Sequence, residues 1–165
     1  MDFNVAFKFI ENFFTGTNLA ILGAVLATVL PGIGSARGVN LVAKATAGLI
    51  SEEPNKYGKS MLLQALPMTQ GIYGMVTSFM ILVRSGIMGD KAIELTVGRG
   101  AYFFVAALPI AFGGLYSAIR QGEVAAAGIS VLAKKPDAVG KAVISSSFVE
   151  LYAILALLIS LLMVL

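Results

Sequence analysis

The 165-residue sequence is 58% hydrophobic and only 13% charged, whereas a soluble domain carries about 25% charged residues. This composition indicates a membrane protein. The chain contains no Cys and no His, which excludes disulfides, thiolate or imidazole metal ligands, and catalysis by histidine. The net charge of +3 is small and spread along the chain, so no nucleic-acid partner is expected.

Four stretches with at most one charge are each long enough to cross a bilayer as a helix. They cover residues 12–36, 60–83, 100–119 and 142–165. We therefore predict an all-α membrane protein with four transmembrane helices. Residues 39–50 and 123–133 contain no Pro and are expected to continue their helices, so the predicted helices cover about residues 12–50, 58–84, 95–133 and 139–165.

The distribution of Lys and Arg predicts how the chain lies in the membrane. Eight of these residues lie between spans one and two or between spans three and four, and four lie on the other side. Cytoplasmic segments carry an excess of Lys and Arg. We expect a multi-pass protein of the cell membrane, with these two connections in the cytoplasm and both termini outside.

Spans one and three are rich in Gly and Ala, whereas spans two and four are rich in Leu, Met, Ile and Phe. Small residues allow helix backbones to approach closely in a membrane. One such span is weak evidence, but two matching pairs favour an assembly with narrow helices inside and bulky helices outside.

An internal repeat relates the two halves of the chain. The turn SEEPNKYGK matches the turn KKPDAVGK after a shift of 82 residues. The shift pairs Pro54 with Pro136, Gly58 with Gly140, Lys59 with Lys141, and Ser35 with Ser117. The repeat predicts two tandem copies of a helical hairpin, in residues 1–86 and 87–165.

The last span carries a single charge, Glu150. A carboxylate at hydrocarbon depth costs about 2.5–3.5 kcal/mol on insertion scales, so we expect a proton or a bound cation to neutralise it. No Lys or Arg lies inside any span, and a fixed basic partner would have to come from another subunit. The repeat pairs Glu150 with Met68, so the chain carries one such carboxylate per two hairpins.

Oxygen-bearing side chains in spans two and three are candidates for the same site. Leu66, Gln70 and Tyr73 follow the i, i+4, i+7 spacing of one helix face, with Thr69 beside them, and Gln121 follows span three. Alone, each polar residue is explained as a contact between helices or as an interfacial group. Together they supply several oxygens, which an alkali cation requires and a proton does not. The sequence therefore favours a sodium site and leaves a proton site open.

Two further features accompany these candidates. Pro67 lacks a backbone donor and is expected to free the carbonyl of Leu63. Three serines, Ser145 to Ser147, precede the span-four carboxylate. We expect two of them to bond back to their own helix.

The chain resembles the rotor-ring proteolipids of V-type ATPases, in the four-helix form with a duplicated hairpin. The matching motifs are LPGIGSARG, LQALPMTQGIYG, LPIAFGGLYSAIRQGEVAAAGI and FVELYAIL. The sequence is most similar to the sodium-pumping bacterial variety, the K subunits of V-type Na⁺-ATPases. This resemblance implies that Na⁺ is bound by Glu150, Thr69, Gln70, Gln121 and the Leu66 carbonyl, and that Tyr73 holds the carboxylate closed.

The resemblance also implies a function and partners. About ten identical copies would form a ring that faces membrane lipid and carries Na⁺ during ATP-driven rotation, without bond chemistry of its own. The implied partners are a static membrane subunit, with an Arg at its half-channels, and a central stalk at the cytoplasmic turns. The alternatives are a proton-coupled ring, a four-span secondary transporter, and a structural oligomer that tolerates Glu150→Gln.

Overall fold

The computed structural model describes Lys8 and residues 11–89 and 94–165; the remainder of the predicted hairpins, including Lys91, lies outside the described residues. The described part contains helices and turns and no strand. The α-helices are α1 (Gly16–Glu52), α2 (Tyr57–Ala65), α3 (Thr69–Arg84), α4 (Val97–Lys134) and α5 (Val139–Val164), with 3-10 turns at Pro54–Lys56, Leu66–Met68 and Pro136–Ala138.

Four helical elements are long and apolar enough to cross a membrane, because α2, the Leu66–Met68 turn and α3 form one continuous element. Their bounds are Gly16–Glu52, Pro54–Arg84, Val97–Lys134 and Pro136–Val164. The predicted all-α class with four membrane-crossing helices is confirmed. The first and third elements, of 37 and 38 residues, are each about 55 Å long at 1.5 Å per residue and exceed the hydrocarbon thickness.

Local chemistry explains where the two longest helices begin and end. Each begins after a threonine whose hydroxyl oxygen accepts a backbone N–H of the first turn, from Asn18 to Thr15 (3.2 Å) and from Arg99 to Thr96 (3.4 Å). Such caps satisfy donors that have no partner within the helix. Each long helix is followed by a 3-10 turn with proline at its start, at Pro54 and at Pro136.

Helices α1 and α4 pack with their backbones in contact along glycine-lined faces. A Cβ built on Gly23 would lie 2.8 Å from the Cα of Phe104, and one on Gly34 would lie 2.9 Å from the Cα of Leu115. Bulky side chains of α3 and α5 are exposed, among them Phe79 and Leu155. The arrangement of narrow helices inside an assembly and bulky helices outside stays a prediction.

The two proline turns lie next to each other at one end of the bundle. The Lys56 ammonium donates to a carboxylate oxygen of Glu53 (2.6 Å) and to the backbone oxygen of Ala133 (2.7 Å). Lys59 donates to the backbone oxygen of Pro136 at 3.4 Å. These bonds join the end of the first hairpin's long helix to the end of the second's.

Pro67 changes the geometry of the second membrane-crossing element. The proline is buried, and the backbone passes through the Leu66–Met68 3-10 turn before α3 begins. The Leu66 carbonyl then accepts the Thr69 backbone N–H, and the Gly71 N–H donates to the Ser35 hydroxyl of α1 at 2.9 Å. The proline turn is therefore followed by polar contacts at the start of α3.

Candidate ion-binding site

The Glu150 carboxylate lies half-buried on α5 and accepts hydrogen bonds from two other helices. Its Oε1 accepts from the Tyr73 hydroxyl of α3 at 2.6 Å. Its Oε2 accepts from Gln121 Nε2 of α4 at 3.3 Å. Side chains from three different helices therefore meet at one carboxylate, and no Lys or Arg side chain is bonded to it in the described part of the chain.

The two carboxamides lie directly behind this carboxylate. Gln70 and Gln121 are both fully buried, with 0% exposed surface. Gln70 Nε2 donates to Gln121 Oε1 at 2.5 Å, whereas Gln70 Oε1 is buried without a hydrogen-bond partner. An unsatisfied buried oxygen costs about 1–3 kcal/mol. A cation at this oxygen would remove that cost, so the donor set fits a bound cation.

Thr69 and Leu66 lie at the adjoining start of α3. The Thr69 hydroxyl donates to the Leu66 backbone oxygen at 3.1 Å. Of the six residues named from the sequence, Glu150, Gln121, Gln70 and Tyr73 are linked by hydrogen bonds. Thr69 and Leu66 are bonded to each other on the same membrane-crossing element as Gln70 and Tyr73.

Backbone geometry explains why these side chains meet. Gln70 and Tyr73 lie three residues apart and so share one face of α3, which begins only after the Pro67 turn. Gln121 reaches them because α4 closely approaches α1 at the next residue, where a Cβ on Gly122 would meet the backbone of Gly38. The glycine contact therefore positions a residue of the site.

Ser117 also belongs to this network, although the sequence had indicated it only as one member of the Ser35–Ser117 repeat pair. Its hydroxyl donates to the backbone oxygen of Val149 at 2.9 Å and accepts from Gln70 Nε2 at 3.5 Å. Serine at both positions of this repeat pair was the sequence feature that could have indicated a contact with a neighbouring helix.

The three serines before Glu150 behave as expected. Ser145 donates to Lys141 O at 2.9 Å and Ser147 donates to Val143 O at 3.0 Å, which confirms that two bond back to their own helix. Ser146 donates instead to the backbone oxygen of Gln121 at 3.3 Å. This bond ties α5 to α4 about one turn from the carboxylate.

The charge of the site limits what it can bind. Glu150 is its one carboxylic acid, and the described residues contain no group of three or more His, Cys, Asp or Glu side chains that could hold a metal ion. Divalent cations generally recruit further carboxylates. One carboxylate is neutralised by one proton or one monovalent cation, and neutrality is what the hydrocarbon region favours.

The fold and this site define a class of protein. The family model for the C subunit of ATP synthase matches the chain twice, at residues 22–81 and 104–163. The chain belongs to this family, whose members assemble into membrane rings. The two matches begin at the spacing of the 82-residue repeat, which confirms two repeated hairpins.

Two curated relatives narrow the class. The K subunit of the V-type sodium ATPase of Enterococcus hirae is 47% identical over 150 residues, which cover 91% of this chain and 92% of the relative. The K subunit of the A-type ATP synthase of Methanocaldococcus jannaschii is 38% identical over 145 residues, covering 88% of this chain and 61% of the relative. The chain is thus a multi-pass proteolipid of the K type, a rotor-ring subunit of a V/A-type ATPase complex, as the sequence predicted.

Proposed function

We propose that the chain carries Na⁺ across the cell membrane on Glu150 during ATP-driven rotation, and that ATP is hydrolysed by other subunits of the complex. The unpaired, fully buried oxygen of Gln70 carries this proposal. A proton binds to the carboxylate alone and has no use for that oxygen, whereas Na⁺ requires several oxygen ligands. The 47% identity to a subunit of a sodium ATPase supports the same ion.

The proposed Na⁺ ligands are Glu150, Gln70, Gln121, Thr69 and the backbone carbonyl of Leu66. The contact from Gln121 Nε2 to the carboxylate is long, at 3.3 Å, and is the weaker of the two that hold it. We expect the ion to displace this contact and to take up the carboxamide oxygens. The Tyr73 hydroxyl, at 2.6 Å, keeps the carboxylate turned towards α3 while the ion is bound.

In the proposed cycle, Na⁺ enters through a half-channel between the ring and a static membrane subunit. It neutralises Glu150, which can then pass the lipid without the cost of a bare charge. After nearly a full turn, an Arg of the static subunit attracts the carboxylate and releases the ion into the second half-channel. Rotation is driven by ATP hydrolysis through a central stalk.

The proposed assembly has about ten copies, with α1 and α4 on the inner wall and the other two membrane-crossing elements facing lipid. Both termini lie outside the cell and the two proline turns lie in the cytoplasm. Since Lys56 ties the end of α1 to the end of α4, these turns form one cross-linked surface. We propose that the central stalk docks there.

A proton-coupled ring is the second candidate. A proton neutralises the carboxylate of Glu150 as a monovalent cation does, and it needs one oxygen and no further ligand. The two candidates differ in whether the labelling of Glu150 responds to Na⁺.

Carbodiimide labelling of the purified oligomer, read by mass spectrometry, tests the proposal. Such reagents attack the protonated carboxyl, so at fixed pH bound Na⁺ should slow labelling of Glu150. Gln70→Ala should weaken this protection, while Gln64→Ala, the same change in α2 outside the network, should leave it intact. Labelling that depends on pH and not on Na⁺ would identify a proton site instead.

A further inference from the structure

Two serines of the long helices lie beside the ion site, and neither is among the proposed ligands of the ion. They are Ser35 of α1 and Ser117 of α4, which the 82-residue repeat pairs with each other. Both side chains are buried, with 8% and 6% of the residue surface exposed. Each hydroxyl bonds to the backbone of the next membrane-crossing helix in its own hairpin. The pair therefore reaches the site from both halves of the chain.

The two serines use opposite ends of their hydroxyl groups. Ser117 donates its proton to the backbone oxygen of Val149 at 2.9 Å. Ser35 uses its oxygen to accept the backbone N–H of Gly71, also at 2.9 Å. Val149 corresponds in the repeat to Pro67, which lies four residues before Gly71. The two bonds thus lie at equivalent places in the two hairpins, but one serine acts as donor and the other as acceptor.

Ser35 fixes the backbone next to Gln70. The first N–H groups of a helix have no acceptor within that helix, and the N-cap residue of α3, Met68, makes no side-chain cap. Gly71 is the third residue of α3, and the Ser35 hydroxyl of the neighbouring helix accepts its N–H. A Cβ on Gly71 would lie 3.2 Å from that hydroxyl oxygen. The start of α3 is therefore held against α1 at the residue after Gln70.

Ser117 determines which way the carboxamide of Gln70 is turned. Because its proton is donated to Val149, the Ser117 oxygen faces Gln70 as an acceptor only. It accepts from Gln70 Nε2 at 3.5 Å, and Gln121 Oε1 accepts from the same nitrogen at 2.5 Å. Two acceptors thus face the amide nitrogen and turn Oε1 away from them. Oε1 is the buried oxygen that has no partner among the described residues.

We propose that Ser35 and Ser117 are positioning residues of the ion site, which together hold the carboxamide oxygen of Gln70 towards the cation. The inference rests on the proposed Na⁺ site and adds two residues that act through Gln70 without touching the ion. When Na⁺ takes up the oxygen of Gln121, the Ser117 hydroxyl is the acceptor that remains for Gln70 Nε2. A proton makes no use of Gln70, so the pair affects Na⁺ binding and leaves protonation of Glu150 unchanged.

The Na⁺ concentration that halves carbodiimide labelling of Glu150 in the purified oligomer measures the effect. Loss of one neutral hydrogen bond in Ser117→Ala should raise this concentration by about three- to ten-fold. The labelling rate without Na⁺, and its dependence on pH, should stay as in the natural protein, because Glu150 keeps its bonds to Tyr73 and Gln121.

A double-mutant cycle shows whether Ser117 acts through Gln70. In Gln70→Ala the carboxamide is absent, so the further change Ser117→Ala should alter the half-protecting Na⁺ concentration by less than about two-fold. If Gln70→Ala leaves too little protection to compare, Gln70→Asn takes its place. That substitution keeps an amide and shortens the side chain by one methylene, which withdraws the amide from Ser117.

Ser146→Ala is the matched control for a lost contact between α4 and α5. Ser146 is fully buried and donates to the backbone oxygen of Gln121 at 3.3 Å. In the described part of the chain its hydroxyl is not bonded to Gln70. Any effect of Ser146→Ala on sodium protection should therefore be the same with and without the Gln70 side chain.

Hydrogen exchange tests the part played by Ser35. Ser35→Ala removes the hydroxyl that accepts the Gly71 N–H, so peptides covering the start of α3 should exchange their amide hydrogens faster. Sodium protection of Glu150 should weaken in the same variant. Ser117→Ala should leave this exchange unchanged, because Ser117 is bonded to the Gln70 side chain and not to the backbone of α3.

The outcomes separate this inference from the proposed function. Unchanged protection in Ser117→Ala, an equal loss with and without Gln70, or a shifted pH dependence would each overturn the role of Ser117. Loss of the oligomer in Ser117→Ala, seen by native mass spectrometry, would assign that serine to folding and overturn it too. Unchanged exchange and protection in Ser35→Ala would overturn the role of Ser35. Failure of Na⁺ to protect Glu150 in the natural chain would overturn the sodium site itself.

Discussion

Replacing Tyr73 by Phe removes one hydroxyl group and keeps the aromatic ring of the side chain. That hydroxyl donates to Glu150 Oε1 at 2.6 Å, the length of a hydrogen bond to a charged acceptor. Such bonds contribute about 1.5–3 kcal/mol. Because Gln121 still donates to the other oxygen of the carboxylate, we apply the lower end of this range. We expect Na⁺ binding to weaken by roughly ten-fold, since 1.4 kcal/mol corresponds to a factor of ten.

Carbodiimide labelling measures this effect directly. The Na⁺ concentration that halves the labelling rate of Glu150 should rise by roughly ten-fold in Tyr73→Phe. The rate without Na⁺ should also rise, because the carboxyl group is no longer held against α3. Tyr152→Phe makes the same change two residues from Glu150, at a side chain that is 73% exposed, and should behave as the natural protein. Unchanged protection and rate in Tyr73→Phe would refute the view that this hydroxyl holds the carboxylate closed.

Three further predictions concern charge, packing and positioning. Glu150→Gln should leave the oligomer mass unchanged and abolish ATP-driven uptake of radioactive Na⁺ by vesicles containing the whole complex; retained uptake would exclude this carboxylate as the carrier. Gly38→Ala should destabilise the oligomer by about 1–3 kcal/mol, because the added Cβ would clash with backbone and with Pro67. An added Cβ at Gly48 would lie in open space, so Gly48→Ala should leave the melting temperature of the oligomer unchanged or raise it. Ser117→Ala removes bonds to Val149 O and Gln70 and should weaken sodium protection without changing the pH dependence of labelling, while Ser145→Ala should change neither.

The helical architecture could be predicted because it depends on local properties of the sequence. The lack of charges over about 20 residues is sufficient to indicate a membrane-crossing helix. Pro54 and Pro136 mark the turns because proline cannot continue the preceding helix. Gln70 and Tyr73 could be placed together because their spacing alone puts them on one helix face. None of these inferences requires knowledge of how two helices are rotated relative to each other.

The contacts between helices could not be predicted in the same way. The position of Gln121 after span three predicts a residue at the membrane interface, yet its side chain is fully buried. The reason is the backbone contact between Gly122 and Gly38, which depends on the rotation of α4 against α1. The same rotation brings Ser117 to Gln70. Spacing within one helix carries no information about such a rotation, although glycine at both positions was compatible with a close approach.

The first hairpin has Met68 at the position that corresponds to Glu150, which has an energetic consequence for the proposed pump. In the proposed cycle, two hairpins carry one ion. Moving one elementary charge against 100 mV requires about 2.3 kcal/mol. For a fixed free energy per revolution, halving the number of ions doubles the free energy available to each. A duplicated chain with a single carboxylate therefore moves fewer ions per turn, and in exchange can move them against a steeper gradient than a ring with one carboxylate in every hairpin.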